Sequence, residues 1–170
     1  MMETVRLILL LALAAAALTT AALALGWWME PERRLRRALD RLLGRQGEAQ
    51  ALAPIEGKAA ALDFESGQAV VLWDQGARGL VYAFDEVSGA ELIVDGHVVA
   101  RVRRGEPRRD LDVLVPDAGQ VALRLMFDDA RDPEFEVALY DVRWPNATHG
   151  PGEALRLGRR WLSHVEALTK

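Results

Sequence analysis

Three hydrophobic patterns succeed one another along the chain. From Leu7 to Met29 no residue is charged, and only Thr19, Thr20 and Gly26 interrupt the aliphatic and aromatic run. A helix rises ~1.5 Å per residue, so ~20 residues cross a hydrocarbon core of ~30 Å. A buried helix of a soluble protein normally keeps a polar stripe, and this segment has none. The pattern predicts a transmembrane anchor over residues 1–29. The period then becomes helical and amphipathic. Leu35, Ala38, Leu39, Leu42 and Leu43 fall on one stripe, Glu30-Pro31-Glu32 reads as a helix start, and Gly44 reads as its stop. This stripe packs on the folded domain or simply continues the span, its arginines solvated, or, in the other reading, lies among acyl chains. Gln46–Gly57, alanine-rich and broken by Pro54, is expected to be a linker, so that residues 30–57 form a basic juxtamembrane helix and linker.

From Lys58 the period is two. Strands are predicted at 60–64, 69–73, 80–84, 90–94, 97–102, 112–116, 121–127 and 135–141, each bounded by turn-forming residues. Asp95-Gly96 between two β-branched runs is the signature of a two-residue hairpin turn. Strands this closely spaced leave no room for the crossover helices of a parallel sheet, so the expectation is an antiparallel sandwich or barrel over residues 58–170. After a loop at 143–152, the helical period returns. Leu155, Gly158, Trp161, Leu162, Val165 and Leu168 share one face, and Pro151 sits at the start. Such a helix would close the open side of a curled sheet.

The stretches "LVYAFDEVSGAELIVDG" and "VALRLMFDDARDPEFEVALYD", with the C-terminal "LRLGRRWLSHVEAL", resemble a loosely defined set of uncharacterised bacterial membrane-anchored proteins. Their domain is similar to bacterial pleckstrin-homology-like (PH-like) modules. The resemblance covers about residues 60–168. It implies a mainly β, PH-like barrel closed by a C-terminal helix, and it carries no catalytic motif.

Charge bears on topology. Arg33, Arg34, Arg36, Arg37, Arg41 and Arg45 follow the apolar run, and Trp27-Trp28 precedes them. Paired tryptophans suit a membrane–water interface, and arginines just past a span tend to remain cytoplasmic. The expected arrangement is a single pass through the cytoplasmic membrane, N-terminus out and domain inside. The rival is a signal peptide cleaved after Ala22-Leu23-Ala24, which would make this an exported envelope protein. Overall the chain is acidic, with 25 Asp/Glu against 21 Lys/Arg. Most of the acid lies in the domain, which argues against a nucleic-acid partner. The absence of cysteine excludes disulfides, thiol catalysis, Cys-based zinc sites and a lipid-attachment cysteine.

No motif announces an enzyme. Phosphate-binding glycine loops and the nucleophile elbow are missing, no cofactor is implied, and His97, His149 and His164 lack metal-site spacing. Asp128, Asp129, Asp132 and Glu134 could hold a calcium ion but lack the spacing of an EF-hand loop, so they read as a solvated acidic connection between strands, and Trp73, Trp144 and Trp161 read as core or core-edge anchors. The remaining polar cluster is "RVRRGEPRR", with Arg101, Arg103, Arg104, Arg108 and Arg109 in an expected loop. Together with the juxtamembrane arginines it could contact anionic headgroups or a protein partner. The expected function is a membrane-tethered, non-catalytic interaction module that binds a protein partner, with binding of anionic lipid as the alternative.

Overall fold

The computed structural model describes residues 2–28, 30–44, 47–110, 118–144 and 150–169. Helix α1 runs from Met2 to Trp28 and is long and apolar enough to cross a membrane; the rest of the protein covers none of its apolar span. The two threonines of the uncharged run, Thr19 and Thr20, turn their hydroxyls back onto the helix. Thr19 Oγ1 donates to the Ala15 carbonyl at 2.9 Å and Thr20 Oγ1 to that of Ala16 at 2.8 Å. The only hydroxyls of the apolar run are therefore satisfied without water.

Helix α2 spans Pro31–Leu43 and stops at Gly44, whose φ of 70° is the left-handed cap the sequence predicts. Two antiparallel sheets follow. The first has strands in the order β1 (Ala49–Ala53), β2 (Lys58–Asp63), β3 (Gln68–Trp73) and β4 (Arg78–Ala83). The second contains β5 (Val87–Val94), β6 (His97–Arg103), β7 (Glu106–Asp110), β8 (Gln120–Phe127) and β9 (Glu134–Asp141), in the order β7-β6-β5-β8-β9. Asp95 and Gly96, with φ of 48° and 81°, make the expected primed turn between β5 and β6. Helix α3, Pro151–Leu168, closes the chain.

Three expectations need correction. The presumed linker at 46–57 contains β1, which pairs along its whole length with β2 from Ala49↔Leu62 to Ala53↔Lys58. Alanine has little intrinsic strand preference, so this strand exists because its partner is there. Likewise the arginine cluster is not all loop. Gly105, at φ 73°, turns the chain, and "EPRRD" pairs back onto β6 as edge strand β7. Finally, β2 and β3 do not alternate. Ala59–Asp63 and Ala69–Leu72 are buried on both faces, because α2 covers one face and the main core the other. The strand expected at 112–116 lies outside the described residues.

The main core lies between the two sheets and α3. It joins Leu62 and Val71 of the first sheet to Leu92, Leu123 and Leu125 of the second and to Trp161 and Leu162 of α3. Gly158 lets α3 approach β5. A Cβ there would collide with Leu92, which has no exposed surface and nowhere to move. The sheets meet where β9 runs beside β1. On the other side, a second small core forms where Leu35 and Leu39 of α2, both wholly buried, pack on Ala59, Ala61, Val70 and Leu72. Burying a leucine contributes about 1.5–3 kcal/mol, so these two side chains hold α2 to the sheet. The stripe Leu35/Leu39 is thus committed to the domain, whereas Leu42 stays 47% exposed.

Candidate functional site

The arginines of α2 divide into two groups. Arg33 and Arg36 turn to the helix's own acids, at 2.8 Å from Glu30 and 2.7 Å from Glu32. The Arg33 guanidinium also lies 3.8 Å from the ring centroid of Trp27, which links the end of α1 to the first turn of α2. Arg34, Arg37 and Arg41, spaced so that they share one side of the helix, line a shallow cleft of about 430 Å³ against Gln75, Gly76 and Ala77. That wall is the turn between β3 and β4. Asp74, Gln75 and Gly76 in succession have φ of 53°, 57° and 80°, a run of left-handed conformations that only firm anchoring sustains. The anchors come from the β1–β2 connection: Gln75 N donates to the Gly57 carbonyl at 3.0 Å, and Gln75 Nε2 to the Pro54 carbonyl at 2.9 Å.

The second arginine group sits elsewhere, on β6 and β7 at the edge of the other sheet. Arg104 is clamped by Asp128 at 2.7 Å and by the Val87 and Asp85 carbonyls. Arg103 lies 3.9 Å from Glu91, Arg108 3.6 Å from Asp110, and Arg109 3.6 Å from Glu106. Arg101 lies on the same strand, half-buried. Trp27 is exposed; the side chain of Trp28, and Arg45, lie outside what is described. The outer face of the second sheet carries a cross-strand charge ladder, in which Arg124 reaches Glu91 at 3.2 Å, Glu134 at 3.3 Å and Glu136 at 3.0 Å.

A different cleft, of about 360 Å³, opens at the mouth between the two sheets. Two aromatic pairs form its floor. Tyr82 of β4 stacks on Phe127 at the end of β8, with centroids 4.0 Å apart and planes 12° from parallel. Trp73 at the end of β3 meets Phe135 of β9 at 5.9 Å. Each ring lies at or next to an end of its strand, Phe135 at the start of β9 and the other three toward the ends of β3, β4 and β8. Carboxylates from four segments form the rim: Glu56, Asp74, Asp132, and Glu134 with Glu136. Lys58 also lines the cleft, 3.4 Å from Glu56. The Tyr82 hydroxyl donates to Asp129 at 3.2 Å. Burial, then that hydrogen bond, then the negative charge of Asp129, Asp132 and Glu86 push the phenol up to about 12, so it stays a donor throughout the physiological range.

Among the expected site residues, then, Arg34, Arg37 and Arg41 come together, and Arg103, Arg104, Arg108 and Arg109 are drawn into local pairs. Sequence reasoning missed the aromatic cleft. Trp73 reads as a core anchor, and it does pack against the core; nothing local shows that its free edge faces Phe135, which is 62 positions away in the chain. The acids of "FDDARDPE" are not simply solvated either, since Asp128 and Asp129 each hold a specific partner. No group of three metal-ligating side chains converges among the described residues.

The chain matches no protein-family model, and neither a curated protein nor a solved structure is detectably similar to it.

Proposed function

We propose that this chain is a membrane-tethered, non-catalytic interaction module. Helix α1 is a single-pass anchor in the cytoplasmic membrane, the domain lies on the cytoplasmic face, and a protein partner docks in the aromatic cleft. The observation that carries the reading is the junction at residues 27–36. An apolar helix whose span the described residues leave uncovered ends one residue past the exposed Trp27, and an arginine-rich helix already fixed to the domain begins at Pro31. Cations held at that point resist translocation, which favours the domain remaining inside. Two antiparallel sheets completed by a C-terminal helix are consistent with the PH-like arrangement implied by the resemblance. The pairing of β8 with β5 departs from a plain meander.

Fusing reporters to Lys170 tests the placement. Cytoplasmic-only fluorescence from a full-length membrane product is the expected result. Alkaline phosphatase activity from a product shortened at Ala24 would instead make it an exported envelope protein.

One observation favours lipid as a second ligand: Arg34, Arg37 and Arg41 face a common cleft beside the turn at 74–77. Each arginine near an anionic surface contributes about 1 kcal/mol. In nanodiscs, replacing zwitterionic with anionic lipid should slow trypsin cleavage at these arginines, and added salt should abolish the difference. Equal cleavage in both lipids would remove this reading.

A further inference from the structure

We propose that the cleft between the sheets is a receptor for a cationic side chain, an arginine carried on an extended segment of a protein partner. The proposal rests on the module reading above and gives its partner a chemistry. Three features of the cleft converge on that chemistry.

The floor presents aromatic faces and edges at the surface. Trp73 and Phe135 are half-buried, so each packs against the core and still offers ring surface to the cleft. A cation within about 6 Å of such a ring is attracted to its quadrupole, and a flat guanidinium stacks on it as an ammonium cannot.

The rim carries more negative charge than its neighbours neutralise. Arg124 is shared between Glu134 and Glu136 of the rim, so one cation serves two of its carboxylates, and it also reaches Glu91, which has Arg103 as a second partner. Asp74 has Arg78 at 2.6 Å and Glu56 has Lys58, while Asp132 has no cation within ion-pair distance among the described residues. The surplus disfavours anionic ligands and nucleic acid. It does not make a metal site, because no three of the ligating groups converge among the described residues. Burial first, and then the Asp129 hydrogen bond and the negative charge of Asp129, Asp132 and Glu86, raise the Tyr82 phenol; of these acids Asp132 stands on the rim that an incoming guanidinium would meet.

The third feature is access. Tyr82 belongs to β4, the edge strand of the first sheet, with β3 on one side and, among the described residues, no strand on the other. An extended segment laid along that edge would direct alternate side chains toward Tyr82 and the cleft, the usual arrangement when a peptide adds to a sheet edge. A free edge beside an acidic aromatic cleft suits a protein segment better than a small amine, which would use the cleft and leave the edge empty.

The test uses the full chain, isotope-labelled, in a neutral detergent, with the Trp73 indole resonance assigned from Trp73→Phe. Four probes are titrated: capped Gly-Val-Arg-Val-Gly, its Gln and Glu analogues, and tetramethylammonium. The arginine peptide should shift the Trp73 resonance saturably, and the glutamine peptide should bind about tenfold more weakly or worse. Asp132→Asn, at an exposed loop position, should weaken the arginine peptide severalfold and leave the spectrum otherwise unchanged. Equal binding of the arginine and glutamine peptides overturns the proposal, as does arginine-peptide binding that leaves Trp73 unmoved, or no binding at millimolar peptide. Tetramethylammonium binding as tightly as the peptide overturns the protein partner in favour of a small quaternary amine. These failures would leave the reporter result standing, and an exported reporter would leave a positive titration standing, so the two readings fail separately.

Discussion

Helix α3 buries six residues, Trp161 and Leu162 wholly out of solvent, whereas α2 buries two, Leu35 and Leu39. Both are amphipathic and both lie across a sheet. The difference is in what each covers. The face of α3 belongs to the core that joins both sheets, so lifting it would open the whole interior. The face of α2 belongs to a patch confined to the outside of one sheet, and the strands beneath it keep their pairing and their inner faces without it. The same sequence signal, an apolar stripe at helical spacing, therefore marks a helix built into the core shared by both sheets in one case and a helix docked on the outside of one sheet in the other.

Four substitutions, the last read through a pH titration, probe that contrast. The largest effect is expected at α3. Trp161→Ala should lower stability by about 3–5 kcal/mol, read as a shift of the whole denaturant unfolding transition. At α2, Leu39→Ala should cost about 2 kcal/mol or somewhat more, but in local opening rather than global unfolding. Its signature is faster trypsin cleavage at Arg36 and Arg37 with the main transition nearly unmoved. If the global midpoint falls as it does for Trp161→Ala, the two helices belong to one cooperative unit and the contrast fails. Gly76 should give a smaller version of the α2 effect. Its φ of 80° makes alanine cost about 1–2 kcal/mol, and a Cβ there would lie 2.6 Å from that of Ala38, pressing α2 off the sheet. Cleavage in α2 should therefore rise for Gly76→Ala as well, and an unchanged rate would show that this contact does not seat the helix.

The smallest effect is a pH dependence confined to α3. His164 packs beside Phe64, with ring centroids 5.1 Å apart, and burial, then the nearby Arg160 charge, lower its pKa below the ordinary 6.5. The unfolded chain therefore takes up this proton first as pH falls. The contribution is fully present above about 6.5 and is lost progressively as pH drops through the lower, folded value. His164→Phe should remove that loss, measured as a flatter difference in stability between pH 7.5 and 5. An identical slope in both proteins would place the titration elsewhere.

Legibility from sequence follows how local the determining physics is. The Asp95-Gly96 turn, the cap at Gly44 and the face of α3 were readable because each depends on residues within a few positions. Strand β1 was not, since "AQALA" is strand only by virtue of its pairing with β2, and β7 was not, since "EPRRD" has the charge and proline of a loop and persists as an edge. The unbroken apolar runs in β2 and β3 were a readable sign that something covers the sheet's second face, and the leucine stripe of α2 was what covered it. The aromatic cleft lay furthest from reach. Its contact between Tyr82 and Asp129 joins residues 47 apart, and composition carries no trace of that distance.

The docking of α2 also has a mechanical meaning. A pull along α1 enters the domain through α2, and α2 grips the sheet by two leucines at one patch. Tension applied at the N-terminus would peel that helix away before it reached the paired strands, whose ladders must break together. The junction would yield first as a fuse, lengthening the tether by the released helix while the cleft between the sheets kept its shape.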